Sequence, residues 1–136
     1  MSADGELDAV EQALGAFLAA GRAAIGAAIW LAPGRALPAL GFERAAEDDE
    51  ALTLARIAAT RDLVLGAWQA RALGDRARLR RATLAVAACD AGDALAFAIA
   101  ARRGSRTTLA AKGLAGSVPA TLAGVWLIAR LQRAGN

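Results

Sequence analysis

At 136 residues the chain is long enough for one domain; it is 57% apolar, carries a net charge of +3 and has an isoelectric point near 10.4. It has no histidine and a single cysteine, Cys89, which excludes imidazole chemistry, His-ligated metals, an internal disulfide and Cys-cluster metal sites. Most of the apolar residues are alanine and aromatics are only 4%, so mean hydropathy stays at +0.37, and a soluble core would lack its usual Leu, Ile, Val and Phe.

The N-terminus is acidic (Asp4, Glu6, Asp8, Glu11) where a secretory signal is basic, so the first apolar stretch is expected to be retained. That stretch, about 13–33, holds Arg22 near its middle and Trp30 at the depth of an aromatic belt. Pro33-Gly34 marks its stop. Residues 34–49 read as a loop with a short interfacial piece around 37–42, and Glu47, Asp48, Asp49 and Glu50 crowd the next helix start, where carboxylates complement exposed N–H groups. The second stretch, about 50–73, has Arg61 and Asp62 near its middle. Gly74-Asp75-Arg76 makes a turn, and Arg78, Arg80 and Arg81 lead into a third stretch, about 82–101, centred on Asp90 and Asp93. Arg102-Arg103-Gly104-Ser105 closes it, with Ser105 as a cap for the fourth stretch, about 107–129, which holds Lys112, Ser117, Pro119 and Thr121.

Each stretch is long enough to cross a bilayer, and the connections are short. The expected fold is all-α: a single domain over 1–136 formed by an antiparallel bundle of four transmembrane helices, with a buried central charge cluster. Orientation follows the basic residues near span ends. Arg71, Arg76, Arg78, Arg80, Arg81, Arg130 and Arg133 lie on one side, and Arg35, Arg44, Arg102, Arg103 and Arg106 on the other, a bias of seven to five. It places both termini in the cytoplasm of a bacterium, with the chain in the inner membrane. The high alanine and arginine content points to a GC-rich genome.

Arg22, Arg61, Asp62, Asp90 and Asp93 share one depth. A lone charge there costs about 2.5–3.5 kcal/mol even on lenient insertion scales, so opposite signs are expected to neutralise one another. Asp90 and Asp93 are three apart and share a helix face; Arg22 is expected between them, with Arg61 and Asp62 turned to different sides of the same interior. Such a cluster fixes helix register, or holds a proton or cation on an aspartate whose ionisation burial opposes.

Small residues recur every four positions: Gly15, Ala19, Ala23 and Ala27; Ala58, Asp62, Gly66 and Ala70; and Gly116, Ala120 and Gly124. Rows of this kind let helices approach where lipid removes the hydrophobic drive. Gly26, Gly66, Gly116, Ala120 and Gly124 are the expected packing positions, within the chain or against another subunit.

The Asp-x-x-Asp spacing of Asp90 and Asp93 resembles the start of the metal motif of CDP-alcohol phosphotransferases, where paired carboxylates hold Mg²⁺ against phosphates. That family continues with glycine, Ala-Arg and a second aspartate pair, whereas here Asp93 is followed by Ala94 and no acidic residue comes after it. The reading is disfavoured; no cofactor, metal or enzymatic activity is expected. Three patterns, Gly-Arg-Ala-Ala-Ile-Gly at 21–26 with the later Pro33, Arg-Asp-Leu-Val-Leu-Gly at 61–66 and Cys-Asp-Ala-Gly-Asp-Ala at 89–94, together resemble small bacterial four-helix membrane proteins grouped as a domain of unknown function. The resemblance covers the first three stretches and implies membrane location and importance for Arg22, Arg61, Asp62, Asp90 and Asp93. It supplies no activity. The expected role is a structural or accessory subunit in a lipid bilayer, packing against a membrane-protein partner or further copies of itself and not against nucleic acid; the alternative is a small proton or cation carrier or channel working through buried aspartates.

Overall fold

A computed structural model describes residues 6–103 and 107–133. Asp4, Gly104, Ser105 with its expected capping role, and Arg106 lie outside the described residues. The chain is helical throughout: α1 (Ala9–Leu31), α2 (Pro33–Ala39), a 3-10 turn (Glu43–Glu47), α3 (Asp49–Arg71), α4 (Arg76–Arg102) and α5 (Thr107–Arg133).

The four-span bundle expected from the sequence is corrected on two counts. Among the described residues there are five α-helices, and three segments are long and apolar enough to cross a membrane: Ala9–Leu31, Arg76–Arg102 and Ala111–Arg133. α3 is not among them. It has the length, but Arg56, Arg61 and Asp62 interrupt its apolar middle, whereas the arginines of α4 are gathered at its two ends and leave a long apolar stretch between them. The extra helix arises at Pro33, read as a stop. Proline does stop α1, but at the first position of a new helix its missing N–H costs nothing, and α2 starts there. α2 ends in a Schellman motif: Gly41 takes φ 88°, its N–H donates to the Pro38 carbonyl at 2.8 Å, and Phe42 N–H donates to Leu37 O at 2.7 Å. Pro119 lies inside α5 without ending it.

Two compact units make up the chain, 16–71 and 1–15 with 72–136. In the first, α1 from Ala16 and α3 form an antiparallel hairpin joined by α2 and the 3-10 turn. Its contacts are of backbone against backbone. A Cβ at Gly26 would lie 3.0 Å from Ala59 O, and one at Gly66 would lie 3.0 Å from Ala19 O. Asp48 begins α3 by accepting from the N–H groups of Glu50 and Ala51 at 2.9 and 3.3 Å.

In the second unit α4 and α5 pack antiparallel. Leu79, Ala82, Thr83, Val86, Ala87 and Asp90 form the buried face of α4, at the three-and-four spacing of one helix side. Leu127, Ile128 and Leu131 supply the buried end of α5. Gly113 sits so close to the Phe97 ring that a Cβ would collide with it, and a Cβ at Gly124 would lie 3.2 Å from that of Ala87. Asp75 caps α4, accepting from Arg78 N–H at 2.8 Å.

Candidate functional site

In the hairpin unit the close helix contacts bracket an ion pair. Ala19 meets Gly66 on one side and Ala59 meets Gly26 on the other, and Arg22 and Asp62 stand between these contacts. Arg22 Nη1 donates to Asp62 Oδ1 at 2.8 Å, with the two side chains 13% and 20% exposed. Arg61 Nη2 lies 3.5 Å from the same oxygen. Neighbours on a helix point about 100° apart, but the long arginine side chain folds back to reach the carboxylate. One aspartate oxygen therefore sits between two guanidinium groups. The sequence reading had turned Asp62 and Arg61 to different sides; the structure makes Asp62 a partner of both Arg22 and Arg61. Near the end of α1, Arg56 Nε donates to the Trp30 carbonyl at 3.4 Å, placing a cation where the helix leaves its last carbonyls exposed.

Asp90 and Asp93, the partners expected for Arg22, belong to the other unit. Asp90 is 5% exposed at the end of the buried face of α4, and Asp93, one turn on, is half-buried. Cys89 is a half-buried free thiol beside them. Among the described residues no cluster of three or more His, Cys, Asp or Glu side chains could hold a metal ion.

The same unit carries a second, tighter set of charges that the sequence reading missed. Asp8 caps α1: its Oδ1 accepts from Val10 N–H and Glu11 N–H, both at 2.9 Å. Glu11 reaches back, its Oε2 accepting from Asp8 N–H at 2.9 Å, which completes a capping box. The signal was present as Asp-x-x-Glu before an apolar run; those acidic residues had been read only against a signal peptide. Glu11 is fully buried, and its other oxygen takes Arg76 Nη1 at 2.7 Å. Arg76 Nη2 also donates to Glu6 O at 2.7 Å. From α5, Arg130 Nη2 donates to Asp8 Oδ2 at 2.9 Å, and its guanidinium lies 5.5 Å from the centre of the Trp126 ring. The start of α1, the start of α4 and the end of α5 are thus tied at one end of this unit. The Glu11 N–H, together with Arg130, holds the Asp8 carboxyl below the ordinary aspartate value. A cavity of about 400 Å³ opens there, lined by Asp8, Glu11, Trp126, Ala129, Arg130 and Arg133.

The expected packing positions divide. Gly26 and Gly66 touch backbone across the hairpin and Gly124 touches Ala87, whereas Gly116 faces open space and Ala120 is half-buried. Gly15 faces the Leu73 and Leu79 side chains at 3.0–3.4 Å. Comparisons with protein-family models, with curated proteins and with solved structures found no match. The resemblance to small bacterial membrane proteins rests on its three quoted patterns alone.

Proposed function

We propose that the chain is a small helical membrane protein of the bacterial inner membrane, with a structural or accessory role beside other membrane helices. The carrying observation is the amount of large apolar surface turned outward. Large apolar side chains point outward: Phe17 is 73% exposed, Leu95 62% and Leu122 63%, with Leu31, Ile99 and Val125 alongside. Besides larger apolar residues such as Leu79, Val86, Leu127, Ile128 and Leu131, the buried positions hold alanine and the polar residues Glu11, Gln69, Thr83 and Asp90. In water, contiguous apolar surface of this kind is a liability, and buried polar groups need compensation; in lipid the outward residues meet hydrocarbon and the polar groups meet each other. α3, which is not among the candidate spans, also turns apolar side chains outward. Leu54, Ile57, Val64 and Trp68 form its exposed stripe, while its Asp62 is turned to Arg22.

The Asp8–Arg130 bond brings the start of α1 to the end of α5, and α3 runs back along α1. Gly116, with space above it, gives α5 a small-residue surface that another helix can approach. The accessory role is tested by purification in a gentle detergent with mass determination: a larger assembly is expected, and a monomer at every concentration overturns it. The membrane reading is tested separately by washing membranes with carbonate; a protein released into the wash is not integral.

One observation favours a second reading, a small proton or cation carrier. Asp90 is nearly fully buried halfway along an apolar helix, a position where an ionisable group is often functional. A homodimer giving pH-dependent ion flux in liposomes, lost in Asp90→Asn, would establish this reading in place of the accessory one.

A further inference from the structure

We propose that the cavity at the tied end of the α4–α5 unit receives the phosphodiester of a monoanionic phospholipid headgroup, with Arg133 as the cation that meets it. The inference rests on the membrane reading above and adds a ligand to it.

The charges around the cavity are balanced except at one point. Glu11 is committed to Arg76 at 2.7 Å and to the Asp8 N–H, and Asp8 is committed to Arg130 at 2.9 Å. Arg133 lines the same cavity, is exposed, and has no hydrogen-bond or ion-pair partner among the described residues. Among the described residues the site therefore carries one uncompensated positive charge. Trp126, Ala129, Arg130 and Arg133 follow the spacing of a single face of α5, so the arginine stands two turns beyond the tryptophan. An aromatic ring below and a guanidinium above is the order in which a helix leaves hydrocarbon for the headgroup layer. A volume of about 400 Å³ suits a polar headgroup and is at the small end of ligand sites.

The walls also decide which headgroup. Two carboxylates facing the cavity disfavour the second charge of a phosphomonoester, so a diester fits better than a phosphatidate. An ethanolamine or choline cation gains little, because Asp8 Oδ1 already takes two N–H groups and Oδ2 takes Arg130, while both oxygens of Glu11 are engaged. A guanidinium donates to a phosphodiester through charge-assisted hydrogen bonds, which are about twice as strong as neutral ones. The class selected is a phosphatidylglycerol-like lipid.

The test is native mass spectrometry of the full-length protein in detergent, titrated with dioleoyl phosphatidylglycerol, phosphatidylcholine and phosphatidic acid. One phosphatidylglycerol is expected to stay bound, about tenfold more tightly than phosphatidylcholine, which corresponds to about 1.4 kcal/mol. Arg133→Gln is expected to remove that preference without moving the thermal midpoint, because Arg133 is exposed and unpaired among the described residues. Arg81→Gln, an exposed arginine near the start of α4, is the control and should change affinity by no more than about twofold. Equal losses in both variants would mean diffuse attraction to anionic lipid and would overturn the site, as would tight binding of phosphatidylcholine or of phosphatidic acid. Glycerophosphoglycerol without acyl chains separates the sources: if it binds as tightly as the lipid, the ligand is a soluble diester and the lipid assignment fails. Carbonate washing is done first. Release there overturns the membrane reading and this proposal together, whereas a carbonate-resistant protein without lipid preference overturns this one alone.

Discussion

The two units use the same chemistry, arginine against carboxylate, at opposite places along their helices. In the hairpin of α1 and α3 the pair sits midway, Arg22 on Asp62 at 2.8 Å, between two contacts in which glycine lets backbone touch backbone. In the α4–α5 unit the tightest pair sits at the end, Arg76 on Glu11 at 2.7 Å, and the same glutamate caps a helix. A midway pair fixes register, since a slip of one turn would separate its members by about 5.4 Å. A pair at the end fixes which helix ends meet. The burial differs as well: Glu11 is fully buried, whereas Asp62 keeps 20% of its side chain exposed.

That difference predicts unequal losses. Glu11→Leu leaves Arg76 buried without its carboxylate and removes a cap, and should cost about 3–5 kcal/mol, read as a fall of about 10 °C in the thermal midpoint in detergent. Adding Arg76→Leu should restore most of it. If the double variant melts no higher than Glu11→Leu, the tie is not what holds this end.

Asp62→Asn should cost less, about 2–3 kcal/mol, because its surroundings retain some exposure. Arg61→Gln should stay below about 1 kcal/mol, given its 3.5 Å separation and greater exposure. Thermal melting of the two variants side by side checks the order; a larger loss from Arg61→Gln would reverse the assignment of Arg22 as the main partner.

Glycine substitutions sharpen the same contrast. Gly66→Ala and Gly26→Ala each push a methyl group against a carbonyl that cannot retreat, and should cost about 1–3 kcal/mol. Gly116→Ala meets nothing and should instead stabilise α5 by about 0.5–1 kcal/mol. Matching melting temperatures for all three would mean that the hairpin contacts are looser than they stand here.

The smallest effect is at Asp8. Its carboxyl is held below the usual value of 3.8, so its contribution is present at pH values above that and is lost as pH falls through the depressed folded value. Hydrogen exchange at the Val10 and Glu11 amides should accelerate relative to the middle of α1 as pH drops below about 3.8, and Asp8→Asn should abolish the dependence. A first turn equally protected at pH 2.5 and pH 6 would break the capping box.

Much of this was legible in the sequence, and what was not has physical reasons. The long helices follow from their apolar lengths, and the start of α3 from Asp48 and its acidic neighbours. Gly26 and Gly66 could be picked out because small residues at a shared depth with charges have few other uses. Only a short piece around 37–42 is expected where α2 stands, because proline reads as a terminator although the first helical position tolerates it. α3 reads as a span on length, but Arg56, Arg61 and Asp62 break its apolar middle, whereas the arginines of α4 stand at its ends. The meeting of Asp8 with Arg130 joins residues 122 positions apart, and no local pattern encodes such a contact. The capping box could have been found; Asp-x-x-Glu was in plain view.

The interior has a consequence for how this protein tolerates change. Ala19, Ala59, Ala72, Ala82 and Ala87 are all buried, and glycine stands at the closest approaches. Truncation to alanine, the usual probe of a core, is silent at positions that are alanine already. Almost any replacement there adds volume, so damage arises by crowding and hardly ever by cavity. Those positions also forfeit little on ordering, since alanine has no rotamers to lose. The freedom to vary lies on the outward side, where Phe17, Leu95 and Leu122 ask of a substitute only that it be apolar.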